Sequence, residues 1–255
     1  MDKCDNKNIA EELTGFLLKL SKSKKSDGLR KQANRLMSTI TPDAIAQAEK
    51  ELAKSGLSLK KIQQLSASFI LMGVLDEKDK DLRTRLPANH ILRKVMAEHE
   101  MTQCFIADLE DIAAQIQPKE TLSPTSGEFM RLTHVVEHLN SLEEHMARED
   151  DVLFPELKAQ GWQNLFQHIE NEHTYIQMSI RDLVKLITTF DKMPFARFKT
   201  QLLATVRYVC PLLRDHLYRE DRAIFPLAVS VVRDTKIWDR LRQVCNDIDY
   251  CGIHL

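Results

Sequence analysis

Glycine and proline are scarce in this sequence, 7 and 8 among 255 residues, and most of them fall between the periodic segments. Sheet proteins need such residues at nearly every strand end, so a strand-rich fold is excluded. Long apolar runs are missing too. The longest, residues 69–75, is far short of the ~20 residues that cross a bilayer. The opening MDKCDNKNIA lacks the apolar stretch of an export signal, so the expected location is the cytoplasm, with no membrane partner. Neither sign of charge prevails: Lys plus Arg number 36 against 37 Asp plus Glu, which leaves no field to draw nucleic acid. Cysteines are odd in number and far apart (Cys4, Cys104, Cys210, Cys245, Cys251), without a Cys-x-x-Cys pair. That argues against a disulfide framework or a zinc knuckle and fits reduced thiols.

What the chain does have is 43% apolar residues, recurring every three or four positions, the period of helices. Short helices are expected over 8–20 and 29–39, split by SKSKKSDG. Thr41 followed by Pro42 opens a helix that stops near Gly56, and Ser58 caps the next, to about Leu75. The charged run DEKDKDLRTR reads as a linker. Four longer segments follow, about 88–117, 127–153, 162–190 and 195–232, and their short connections imply antiparallel neighbours. The expected fold is all-α: a small helical domain over 1–80, an up-down-up-down four-helix bundle over 87–232, and a helical extension over 233–255. In that extension Ile237, Leu241, Val244 and Ile248 form the apolar face. Basic side chains outnumber acidic ones in residues 1–85, and Lys19, Lys22, Lys24 and Lys25 cluster there. A solvated helix end accounts for that cluster more simply than an acidic partner does.

The long segments repeat. Glu98-His99 begins EHEMTQCFIADL, and 74 residues later Glu172-His173 begins EHTYIQMSIRDL. EHMAREDDVLFPEL, with His145 and Glu149, returns 71 residues on as DHLYREDRAIFPLA, with His216 and Glu220. The bundle is therefore a doubled helical hairpin, and a site on its pseudo-two-fold axis draws matching residues from both halves.

His145 and Glu149 lie one helical turn apart on one face, as do His216 and Glu220. His99 and His173 reach the same depth from the antiparallel helices. One His-x-x-x-Glu alone is usually a surface pair; two with matched flanks and two further matched histidines point to metal. Beside Val152, Phe154, Ile224 and Phe225, uncompensated carboxylates would be costly, and a cation removes that cost. Four imidazoles with two carboxylates free to bridge suit two five- or six-coordinate ions better than a closed zinc tetrahedron. Iron is the first choice, with manganese or a mixed pair second.

At these residues the chain resembles the hemerythrin-like (HHE cation-binding) superfamily, over roughly 87–230. Its pattern is similar to that of the di-iron proteins linked to repair of nitrosatively or oxidatively damaged iron-sulfur clusters. The resemblance implies that His99 and His145 serve one iron, His173 and His216 the other, and that Glu149 and Glu220 bridge them. Oxygen-carrying members have a fifth histidine four before the position of His173, where this chain has Ile169, although Asp221 matches their acidic bridge. A reversible oxygen carrier is thus disfavoured. The stretch ITPDAIAQAEKELAKSGLSLKKIQQL is similar to an uncharacterised helical domain that often precedes hemerythrin-like modules. Where that domain usually reads Leu-Cys-Asp-x-His, this chain has Leu65-Ser66-Ala67-Ser68-Phe69, so residues 1–80 read as scaffold or as a surface for a protein partner.

Other histidines and tyrosines have plainer readings. His134 and His138 share the face of His145, as a channel lining or added ligands. His90 reads as a cap-region residue, His168 as partly exposed, and Tyr175 and Tyr218 as core or interhelical residues. The expected function is that of a non-haem di-iron protein meeting O2, NO or peroxide under stress, by sensing, scavenging or cluster repair. A di-iron peroxidase or oxidase is the enzymatic alternative, and a metal-dependent regulatory or scaffolding module the third.

Overall fold

The computed structural model describes residues 3–22, 27–37, 39–74 and 82–247, and among these there is no strand. The helices are α1 (Lys3–Lys22), α2 (Asp27–Met37), α3 (Pro42–Lys54), α4 (Leu59–Val74), α5 (Leu82–Arg85) and α6 (Ile91–Ile116), then α7 (Gly127–Asn140), α8 (Leu142–Arg148) and α9 (Phe154–Ala159). After them come α10 (Gln163–Thr188), α11 (Phe195–Arg219), α12 (Phe225–Val231) and α13 (Thr235–Asp247). The chain divides into two compact units.

One unit comprises Met1–Arg85, Phe154–Ile169 and Arg219–Arg233. Here α1 packs on α3 and α2 on α4, and Phe16 meets Phe69 edge to face with ring centres 5.5 Å apart. Thr41 opens α3 as expected, its hydroxyl accepting from the Ala44 amide at 3.2 Å. Gly161 has φ +96, and a Cβ there would stand 2.9 Å from Pro42, so no larger residue fits that turn without strain. Of the expected linker, residues 76–81 lie outside the described residues, and Leu82–Arg85 forms one helical turn. Lys24 and Lys25 also lie outside them.

The other unit comprises Leu86–Leu153, Glu170–Tyr218 and Asp234–Leu255. It holds the bundle of four arms: α6, α7 with α8, α10 and α11. Each arm supplies apolar residues at helical spacing: Ile106, Leu109 and Ile112 from α6, Leu132, Val135 and Leu139 from α7, Ile176, Ile180 and Leu183 from α10, and Leu202, Val206 and Val209 from α11. Burying a side chain of this kind is worth about 1.5–3 kcal/mol, so this stack dominates the bundle's stability. The antiparallel order shows where Lys199, near the start of α11, donates to the Gln117 and Lys119 carbonyls at the end of α6 (3.0 and 2.7 Å).

Two features depart from the sequence reading. The expected helix over 127–153 breaks at Ser141, whose hydroxyl bonds the His138 carbonyl at 2.8 Å, a local bond that competes with the helical ladder. In α13 the buried face is Trp238, Leu241 and Cys245, with Val244 44% exposed, so the helix is turned from the expected face. Ile248 lies outside the described residues. The reason is a tertiary contact: α13 packs against α6 and against residues 149–153, and Trp238 stacks on His90 with ring centres 4.5 Å apart.

Candidate metal centre

Each His-x-x-x-Glu pair runs from an α-helix into a single π-helical turn, Glu149–Leu153 in the first half and Glu220–Ile224 in the second. Both carboxylates are the first residue of such a turn. In the second turn the Phe225 amide donates to the Glu220 carbonyl, five residues back instead of four. The local cause is legible: Pro155 and Pro226 follow one residue later. A proline has no amide hydrogen, and its ring collides with the carbonyl four residues before it, here Asp151 and Arg222, inside the two turns. The widened turn relieves that collision, and single π turns recur at functional sites. Replacing Pro155 and Pro226 by alanine is expected to let both turns tighten to α-helix and rotate Glu149 and Glu220. Metal affinity should then fall by about ten-fold or more, as when supports of a ligand set are lost. Equilibrium dialysis with Mn2+ or Fe2+ measures it, and unchanged affinity would refute this account of the turns.

The six expected side chains are brought together and sealed from water: His99, His145, Glu149, His173, His216 and Glu220 are each at most 2% exposed. They form two overlapping groups, His99, His145, Glu149 and Glu220 in one, Glu149, His173, His216 and Glu220 in the other. The ligand atoms of each group lie within 4.8 Å of one another. Nε2 of His99 is 3.1 Å from Nε2 of His145, and Nε2 of His173 is 3.1 Å from Nε2 of His216. One Glu149 oxygen stands 3.4 Å from Nε2 of both His145 and His173, midway between the histidine pairs. Val152, Phe154, Ile224 and Phe225 are buried.

Outward from these atoms, carboxylates hold the far side of three rings. His145 Nδ1 is 2.8 Å from Glu98, His173 Nδ1 is 2.7 Å from Asp150, and His216 Nδ1 is 3.2 Å from Glu172. Glu98 precedes His99 but braces His145; Glu172 precedes His173 but braces His216. The repeat thus ties the two helices of each hairpin together. Arg148, 1% exposed, donates a short hydrogen bond to Glu98. Burial pushes the Glu98 carboxyl up, but the hydrogen bond and charge of His145, with Arg148, outweigh it and hold it below the usual carboxylate range. Burial also holds the Cys245 thiol up at about 11, so near Arg148, Glu98 and Glu149 it carries no charge at neutral pH.

The donor chemistry fits a cation. A carboxylate only accepts, so the Nδ1 atoms of His173 and His216 carry their protons, and a neutral ring then has a bare lone pair at Nε2. Two such lone pairs 3.1 Å apart repel unless positive charge lies at them. A metal ion, or an added proton on one ring, meets that need, and imidazole with carboxylate is a donor set that iron, manganese and zinc accept.

His134 and His138 belong to neither group; the first is exposed and the second half-buried against Phe105, so the channel or ligand role weighed for them is not seen. His90 caps α6, its Nδ1 accepting from the Leu92 amide at 3.2 Å. The side chain of His168 lies outside the described residues. Tyr175 and Tyr218 are 57% and 47% exposed rather than core or interhelical. Glu98, Asp150, Glu172 and Arg148 escaped the sequence reading as supports. Their signal was present, because the repeats share the Glu-His pair and the triplet Arg-Glu-Asp.

Residues 90–228 match the family model of the hemerythrin HHE cation-binding domain, and residues 13–67 match a family of unknown function, DUF438. No curated protein matches the chain. No helix among the described residues is long and apolar enough to cross a membrane.

Proposed function

Because the chain belongs to the hemerythrin HHE cation-binding domain family, we propose that His99, His145, Glu149, His173, His216 and Glu220 hold two iron ions, with Glu149 and Glu220 as bridges. The protein then acts in the cytoplasm as a non-haem di-iron protein of the nitric oxide or oxygen stress response, by sensing, scavenging or iron-sulfur cluster repair. The observation that carries this reading is that both carboxylates belong to both groups of donors. A single four-ligand site would not need that sharing.

When bound, such a pair of ions supplies exchange between ferrous and ferric states and attachment of a small molecule such as O2, NO or peroxide. The chain's own residues do the rest. Glu98, Asp150 and Glu172 keep the Nδ1 protons of His145, His173 and His216, which fixes each ring and leaves Nε2 free to ligate. The burial of all six donor side chains keeps bulk water away, which strengthens every electrostatic contact inside. The N-terminal helices serve as scaffold or as the surface for a protein partner.

Metal analysis of protein purified without tag or chelator, joined to absorption spectra before and after reduction, tests the proposal. Two irons per chain are expected, with a charge-transfer band that bleaches on reduction and changes again when NO is added. One tightly held zinc and a featureless spectrum would overturn it. Steady consumption of peroxide would assign the centre to the enzymatic alternative.

A further inference from the structure

Outside the centre, the bundle carries a third histidine pair that nothing above employs. His134 and His138 lie one turn apart on α7, with ring centres 4.4 Å apart and planes at 83°. The two pairs of the centre have similar ring-centre distances, 4.9 Å for His99 and His145 (planes at 59°) and 4.8 Å for His173 and His216 (76°). That spacing has chemical meaning. An imidazole nitrogen about 2.1 Å from an ion puts its ring centre about 3.2 Å away, so two imidazoles bound to one ion with an N–metal–N angle near 90° have ring centres about 4.5 Å apart.

Four further features favour this pair as a ligand set. Among the described residues neither ring makes a hydrogen bond; their contacts are with Phe105 and with each other, so the ring nitrogens are uncommitted. Phe105 stacks on His138 at 4.5 Å and 10°, which limits the ring's rotation before any ion arrives. Arg131, one turn earlier on α7, has its charge taken up by Asp108 and Asp111 of α6, at 2.5 and 3.0 Å. Burial, then the charge of His134, hold the His138 imidazole below its ordinary value despite Glu137, so protons compete weakly with a metal at neutral pH.

We infer that His134 and His138 form a third cation site, a bidentate surface chelate for an exchangeable divalent transition ion of the zinc, nickel and copper class. Imidazole suits these ions. With only two protein ligands, water completes the coordination, so binding is weaker than in a six-residue buried centre and the ion exchanges with solvent. The site does not depend on which metal fills the centre.

The probe is Ni2+, titrated calorimetrically into full-length tag-free protein whose centre has first been saturated with iron. Wild type is expected to take up one further ion per chain. His134→Ala or His138→Ala alone should weaken that uptake at least ten-fold, and His134→Ala with His138→Ala should abolish it while the iron content stays unchanged. Both rings are outside the packed core, and a thermal melt of each variant checks that the fold survives. Electron paramagnetic resonance with Cu2+ in place of Ni2+ should show two coupled nitrogens in wild type and fewer in the single variants. Equal uptake by wild type and the double variant, or no ion beyond those of the centre, would overturn the inference.

Discussion

Alanine at both Glu149 and Glu220 is expected to take the protein from two bound ions per chain to none that survive dialysis. Both donor groups contain both residues, so no group of four remains after the double change. The four imidazoles would still face one another in pairs at 3.1 Å, but without a carboxylate to balance the charge of an ion. Stability should respond in the opposite sense. Two acids buried at 1% and 0% exposure oppose folding while no cation accompanies them. The isosteric Glu149→Gln, Glu220→Gln pair keeps the volume and removes the charge, so metal-free protein should gain on the order of 1–3 kcal/mol. Wild type should gain stability with added metal, and the Gln variant should not. Full retention of both ions by the alanine variant would show that other residues hold them.

Arg148→Met is expected to destabilise the protein strongly. Glu98 is 2% exposed, and its charge is matched by a guanidinium that is 1% exposed. Breaking a buried pair by removing one partner costs about 3–5 kcal/mol, because the remaining charge is stranded. His145 still faces Glu98 at 2.8 Å, so the lower part of that range is the expectation. In a domain of this size that is roughly 6–12 °C in Tm. Adding Glu98→Gln to Arg148→Met should recover much of the loss, since the amide oxygen can still accept from His145 Nδ1 and no charge is stranded. A Tm unchanged by Arg148→Met would dismiss the pair as a structural element. The pH dependence follows from the lowered Glu98 carboxyl. Its contribution is present above the ordinary carboxylate range near pH 4 and is lost as acid drives the pH down through the folded-state value. In Arg148→Met that acid transition should move up in pH, because one of the groups that lowers the Glu98 carboxyl is gone.

Glu149 and Glu220 stood out in the sequence because four-residue spacing from His145 and His216 is visible on paper and the repeat doubled it. Arg148 lies one residue away in the same repeat and did not. An arginine beside a glutamate on a helix reads as a solvated pair, and only its burial against Glu98, fifty residues back, changes its meaning. His134 and His138 show the converse. Their spacing put them on the face of His145, yet the break at Ser141 separates the helix that bears them from the one that bears His145.

The sequence by itself determined an all-helical chain, a doubled hairpin and the six residues that converge, because helical period and repetition are properties of the linear order. Which face of α13 is buried and which carboxylate braces which imidazole were decided only by the tertiary structure. The physical reason is that period fixes which side chains share a face of one helix. The rotation of each helix against its neighbours, and the desolvation that follows, depends on side chains far apart in the chain meeting at once.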